Sequence, residues 1–194
     1  MADLRFLASC IVPKRTIIQG KILKPFCLKY RLWLQAIGSP FMQPDKPIQM
    51  QDLVIALKIC AGESMDKKKL RDYWIYLKLL FNREERTRAY EAFIAYTSTH
   101  DTWPKFYEDN KTTSGSSTGL QWELSVIANL CKNGISFEQA LNMPEASAIW
   151  LSTAFSIQAG AKINLLTTDD EALIDHLAKL RDEELIKNET NNNG

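Results

Sequence analysis

Histidine is almost missing from this chain: two occur in 194 residues, His100 beside Asp101 and His176 beside Asp175. A general base needs a partner aimed at its ring, but His100 falls in an expected loop, and on the last expected helix the adjacent Asp175 and His176 diverge by about 100°. Both histidines therefore read as surface residues. The four cysteines, Cys10, Cys27, Cys60 and Cys131, stand far apart in apolar runs with no C-x-x-C pair. That pattern excludes a zinc knuckle and a redox dithiol, and it reads as buried free thiols in a reducing compartment. Glycine is scarce, with eight residues placed at turns and helix ends, so there is no phosphate-cradling loop. Nucleophile elbow, zinc-protease helix and Ca²⁺ loop are missing as well. Asp169, Asp170 and Glu171 are the densest carboxylates, but they occupy the first turn of an expected helix, where the macrodipole favours anions. The sequence thus predicts no catalytic residues, no metal site and no cofactor. No apolar run approaches the ~20 residues of a membrane-spanning helix. "LASC" at 7–10 has the look of a lipoprotein cleavage box, but Asp3 lies in what would be the basic start region and the apolar stretch is too short.

What the chain does contain is an ordinary globular balance, 45% hydrophobic and 24% charged, enough for a core without staples. Its charge is unevenly spread. Residues 1–118 carry 19 basic and 12 acidic side chains, net +7, whereas 119–194 carry 5 and 11, net −6. The cations of the first half are interleaved with acids, as in Arg83, Glu84, Glu85 and Arg86, which argues for a solvated surface rather than a nucleic-acid track. Opposite signs also suit attraction between the halves or between copies.

Periodicity predicts an all-α protein of seven or eight helices with a small N-terminal β-hairpin. Thr16–Ile18, Gly20, Ile22 and Leu23 carry the hairpin. Phe26, Tyr30, Trp33, Leu34 and Ile37 make one helical face, with Pro25 in the first turn and Gly38 at the end. A helix over about 49–61 follows on Leu53, Val54, Leu57 and Cys60. Next come one on Leu70, Tyr73, Trp74, Leu77 and Phe81, and one capped by Asn82 and Glu85 on Ala89, Tyr90, Phe93, Ile94 and Thr97. Beyond the Thr/Ser/Gly stretch, Leu120, Leu124, Ile127 and Cys131 mark a helix, and Ser136 with Gln139 caps a short one. The segment 144–159 is apolar on two faces. Thr168 and Glu171 cap a last helix on Leu173, Leu177 and Leu180. The expected organisation is a hairpin plus basic helical half over 1–108, a flexible loop at 109–119, an acidic helical half over 120–187 and a disordered tail at 188–194.

Five tryptophans, six tyrosines and eight phenylalanines exceed what these stripes need. Trp33, Trp122 and Trp150 lie at or beside the stripe edges and are the predicted partner-binding residues. In the helix over 144–159, Leu151 and Phe155 would anchor the core, leaving Ala146, Trp150, Ala154 and Ile157 for docking.

Two segments carry a resemblance. "ILKPFCLKYRLWLQAIGSPF" (22–41) followed by "QDLVIALKICAG" (51–62), and "ISFEQALNMPEASAIWLSTAFSIQAGAKINLLTTDDEALI" (135–174), resemble tailed-bacteriophage and prophage proteins of the tail assembly chaperone type. The resemblance covers both ends and leaves 63–134 unmatched. It implies a helical protein of the host cytoplasm that coats the tape-measure protein before the tail tube polymerises, using a groove for apolar helices, with possible self-association and no membrane. Two other readings stay open: a structural or connector component of the virion, and a helical DNA-packaging or regulatory DNA-binding protein.

Overall fold

The computed structural model describes residues 4–11, 15–43, 45–66, 69–107, 121–167 and, within 169–181, all but 175 and 178. The expected loop at 109–119 and tail at 188–194 lie outside the described residues. The described chain is mostly helical: α1 (Leu4–Ile11), a hairpin of β1 (Thr16–Ile18) and β2 (Lys21–Leu23), α2 (Leu28–Ala36), α3 (Met50–Cys60), α4 (Leu70–Phe81) and α5 (Arg83–Thr97). A two-residue strand β3 (Lys105–Phe106) follows, then α6 (Trp122–Lys132), α7 (Phe137–Asn142), α8 (Glu145–Gln158) and a second short strand, β4 (Leu165–Leu166). The described residues of 169–181 are helical.

Local chemistry accounts for most boundaries. Gln19 and Gly20 take φ of 49° and 71°, the left-handed pair of a two-residue hairpin turn, and set the antiparallel register Thr16↔Leu23, Ile17↔Ile22, Ile18↔Lys21. The Asn82 side chain accepts from the Glu85 N–H at 3.1 Å, which closes α4 and opens α5. Ser136 and Gln139 form the reciprocal cap of α7. The last helix is capped one residue earlier than expected, by Thr167 and Asp170: the Asp170 N–H donates to Thr167 Oγ1 at 3.2 Å, and the Thr167 N–H donates to Asp170 Oδ2 at 2.9 Å. Pro25 precedes α2 by three residues rather than sitting in its first turn, because Cys27 is the extended residue before the helix.

Two apolar clusters form the core. The first joins the hairpin and α2–α5 through Ile18, Leu23, Tyr30, Leu34, Leu57, Leu79 and Phe93. The second joins α6, α7 and α8 through Ile127, Leu130, Ala140 and Ala148, and takes Leu28 and Leu32 from α2. Helix α2 therefore belongs to both, with Tyr30 and Leu34 turned one way and Leu28 and Leu32 the other. Three further ties cross between the halves. Arg31 donates to both oxygens of the fully buried Glu145 at 2.5 and 2.7 Å. Gln35 donates to buried Glu123 at 2.6 Å. β3 pairs antiparallel with β4.

Three expected faces are corrected. The stripe Leu70, Tyr73, Trp74 and Phe81 of α4 points outward, and the buried residues are Ile75 and Leu79. In α6 the buried residues are Glu123, Ile127 and Leu130, and Leu124 is exposed. Trp33 and Ile37 of α2 are exposed too. In each case a polar pairing or a second packing surface decides the rotation of the helix. For α4 it is Asp72, which reaches Lys21 Nζ at 2.6 Å and Lys58 Nζ at 3.5 Å. Ile75 and Leu79 lie on its side of the helix, and the aromatic stripe lies opposite.

Candidate functional site

The three tryptophans singled out from sequence end in different environments. Trp150 is 7% exposed. Its ring meets Phe6 of α1 edge-on at 5.7 Å, and its indole N–H donates to the Thr102 carbonyl at 2.7 Å. The expected docking stripe of α8 is thus buried at Ala146 and Trp150 and exposed only at Ala154 and Ile157. Trp150 is a core residue because α1 packs over it. The spacing of Leu4, Leu7, Ala8 and Ile11 was the available sign of α1. Trp33 and Trp122 are exposed. Trp122 packs against Trp103 with ring centres 5.1 Å apart and planes inclined by 57°, and lies 5.5 Å beneath the Arg31 guanidinium, so part of its surface is used internally.

The Arg31–Glu145 pair is the densest polar constellation near these rings. Thr99 donates its hydroxyl to Glu145 Oε1 at 2.7 Å, and the Trp103 indole N–H donates to Thr99 Oγ1 at 3.1 Å. Both Glu145 oxygens are engaged, and Arg31 also lies 5.3 Å from the Phe26 ring centre. The cluster pins α2 to α8. Among the described residues no group of three or more His, Cys, Asp or Glu side chains converges as metal ligands do. No described helix is long and apolar enough to cross a membrane. Burial pushes the Cys27 thiol up, and it pushes Cys60 up to about 12. Both are inert as nucleophiles at neutral pH.

The surface that stands out is the outward face of α4. Trp74 is 68% and Phe81 83% exposed, with Leu70 and Tyr73 on the same side. Along its foot runs an open cleft of about 1100 Å³, walled by Gln19 and Gly20 of the hairpin turn, by Trp74, Leu77 and Phe81, and by Glu85 of α5. No family model, curated protein or solved structure matches the chain. The face has to be read from its own chemistry.

Its floor is rigidly based. Lys21 is 1% exposed and bridges Glu63 at 2.8 Å and Asp72 at 2.6 Å, and Lys69 reaches the other Glu63 oxygen at 3.2 Å. Burial opposes ionisation of Asp72, but the hydrogen bond and charge of Lys21, with Lys58 behind them, hold its carboxyl below the usual range. The Lys21 hydrogen bond does the same for Glu63 against its burial, assisted by Lys69. At the rim Arg71 donates to the Gly20 carbonyl, Gln19 donates to Glu85 at 3.0 Å, and Lys78 pairs with Glu85 at 3.1 Å. The arrangement is an apolar stripe three turns long, flanked by guanidinium and ammonium groups and fixed from below by buried ion pairs. Large exposed apolar patches of this kind mark interaction surfaces. Sequence reasoning had the right residues as one stripe and placed them in the core. The signal for the outward assignment was Asp72, whose only route to a buried cation is the opposite rotation of α4.

Proposed function

We propose that this protein is a tail assembly chaperone, and that the outward face of α4 with its cleft covers apolar helical stripes of the tape-measure protein before the tail tube polymerises. The observation that carries the reading is the exposed run Leu70, Tyr73, Trp74 and Phe81, with half-buried Leu77 between them, on a helix whose other face is locked into the core. A twelve-residue helix is about 18 Å long and would cover about three turns of a partner helix in the helix-in-groove mode. Arg71, Lys78 and Glu85 line the cleft and would border the partner's apolar stripe with polar groups. The choice of partner comes from the resemblance of 22–62 and 135–174 to tail assembly chaperones. Those segments supply α2, α3, α7 and α8, of which α3 packs against α4. The α4 face itself lies in 63–134, where there is no resemblance, and rests on geometry alone.

The test is calorimetric titration of the purified protein with helical fragments of a phage tape-measure protein. Trp74→Asp is expected to lower affinity by about 30-fold or more, the scale of an interface anchor. The melting temperature should stay within about 2 °C, as for a surface substitution. Equal binding by the variant would refute the α4 assignment. Recovery of the protein in purified virions would favour a structural component, and steep salt-dependent DNA binding a nucleic-acid role.

A further inference from the structure

We infer that a cleft between α2 and the end of α5 binds a small organic acid, whose carboxylate meets Arg31. The cleft measures about 260 Å³ and shares no residue with the one beneath α4. Arg31, Lys46, Ser98 and His100 line it, beside an apolar wall that includes Phe41, Ile48 and Ile94. One unused edge of a buried cation points to the ligand. The Arg31 side chain is 11% exposed. Its Nε and Nη2 donate to Glu145, and the Phe26 and Trp122 rings lie 5.3 and 5.5 Å from its central carbon. Nη1 has no oxygen partner among the described residues. It meets the Met42 thioether at 3.6 Å, and such sulfur is a weak acceptor. Buried N–H groups are nearly always bonded. Here Arg31 and Met42 both line the cleft, which puts the underused edge at its wall.

The lining sets the class of ligand. No carboxylate side chain lines this cleft, whereas Glu85 lines the one beneath α4. Glu145 balances the charge of Arg31, so the surplus is the Lys46 ammonium, which has no ion-pair partner among the described residues. The His100 imidazole adds a donor in either protonation state, and Ser98 adds a hydroxyl. Thr97 adds none, because its hydroxyl already donates to the Phe93 and Ile94 carbonyls at 3.2 and 3.0 Å. A guanidinium nitrogen and an ammonium together favour an oxyanion. Phe41, Ile48 and Ile94 favour an apolar body behind it. The volume lies below the ~300–1,000 Å³ of drug-sized sites, which limits that body to a few carbons. Inorganic phosphate would leave the apolar wall uncovered. Nothing here depends on the tape-measure reading, because the α4 face takes no part in the cleft.

Butyrate, acetate and inorganic phosphate are the probes, each titrated at constant ionic strength into the isotope-labelled full chain and followed by heteronuclear NMR. Butyrate is expected to shift the amides of Met42, Ser98 and His100 saturably, with a Kd on the order of 1 mM, the scale for so few non-hydrogen atoms. Acetate should bind about 10-fold more weakly, because two methylenes are missing from the apolar wall. Lys46→Gln should weaken butyrate about 10-fold, the scale of a hydrogen bond to a charged group. Lys132→Gln, an exposed change on α6, should leave it unaltered. Arg31→Lys should abolish saturable binding with circular dichroism unchanged; if that variant unfolds through loss of its hold on Glu145, Lys46→Gln decides. Butyrate that shifts none of these amides, or shifts them linearly without saturation, overturns the inference. So does equal weakening by Lys46→Gln and Lys132→Gln. Phosphate binding tighter than butyrate overturns it as well, since the apolar wall would then have no part in recognition.

Discussion

Replacing Lys21 by Met tests the claim that buried ion pairs set the rotation of α4. The methionine stem keeps the packing beneath Ile18 and Leu23, while the ammonium that bridges Glu63 and Asp72 disappears. Removing one partner of a buried pair costs about 3–5 kcal/mol. Here Lys58 still lies 3.5 Å from Asp72 and Lys69 3.2 Å from Glu63, and both carboxylates keep some solvent access. The expected loss at pH 7 is therefore at the lower end, about 3 kcal/mol. The pH dependence discriminates further. Both carboxyls are held below their ordinary values in the folded wild type. Their contribution is in place above about pH 4.5, where they are ionised in the unfolded chain too, and is lost as pH falls through the depressed folded values. Without Lys21 those values rise toward ordinary ones. The gap between wild type and variant should then be widest at pH 7 and shrink below about pH 4. Urea titrations of both proteins at pH 7 and pH 3.5 measure it. A gap that is equal at the two pH values, or absent at pH 7, would refute the argument that this network positions α4.

Two further outcomes are expected. Trp150→Ala removes a buried ring and its hydrogen bond to Thr102, and should cost about 3–5 kcal/mol, a fall in melting temperature of roughly 10 °C for a chain of this size. An unchanged melting curve would return Trp150 to the surface. A thiol reagent on the native protein at pH 8 should modify Cys131 before Cys27 and Cys60, since Cys131 is half-buried and the other two are buried; fast reaction at Cys60 would contradict the packing of α3.

The readable parts of the fold were those decided within a few residues. Gly20 with its β-branched flanks announced the hairpin. Asn82 and Ser136 announced helix starts, and the stripe of Leu53, Val54, Leu57 and Cys60 announced α3. The misread faces depend on partners far away in the chain. Asp72 turns α4 because Lys21 waits on a strand 51 positions earlier, and Glu123 enters the core because Gln35 meets it. A stripe of Leu, Tyr, Trp and Phe outweighs Ile75 and Leu79 by every local measure, so only the buried charge could have reversed the choice. Trp150 was misassigned for a related reason: its cover, α1, packs from the opposite end of the chain. The exposed candidate surface was thus legible as a set of residues, while its direction was not.

The short β3–β4 ladder gives the molecule a property that its size would not suggest. Residues 105–106 and 165–166 are hydrogen-bonded to each other, the Trp103 and Trp122 rings are 5.1 Å apart, and Arg31 grips Glu145. The chain on either side of 108–120 is therefore clamped independently of the peptide that connects it. Opening the backbone there leaves two fragments that already share α2 as a common wall. Each would find the other without being tethered, so new termini or an inserted reporter can be placed at this point with the architecture kept intact.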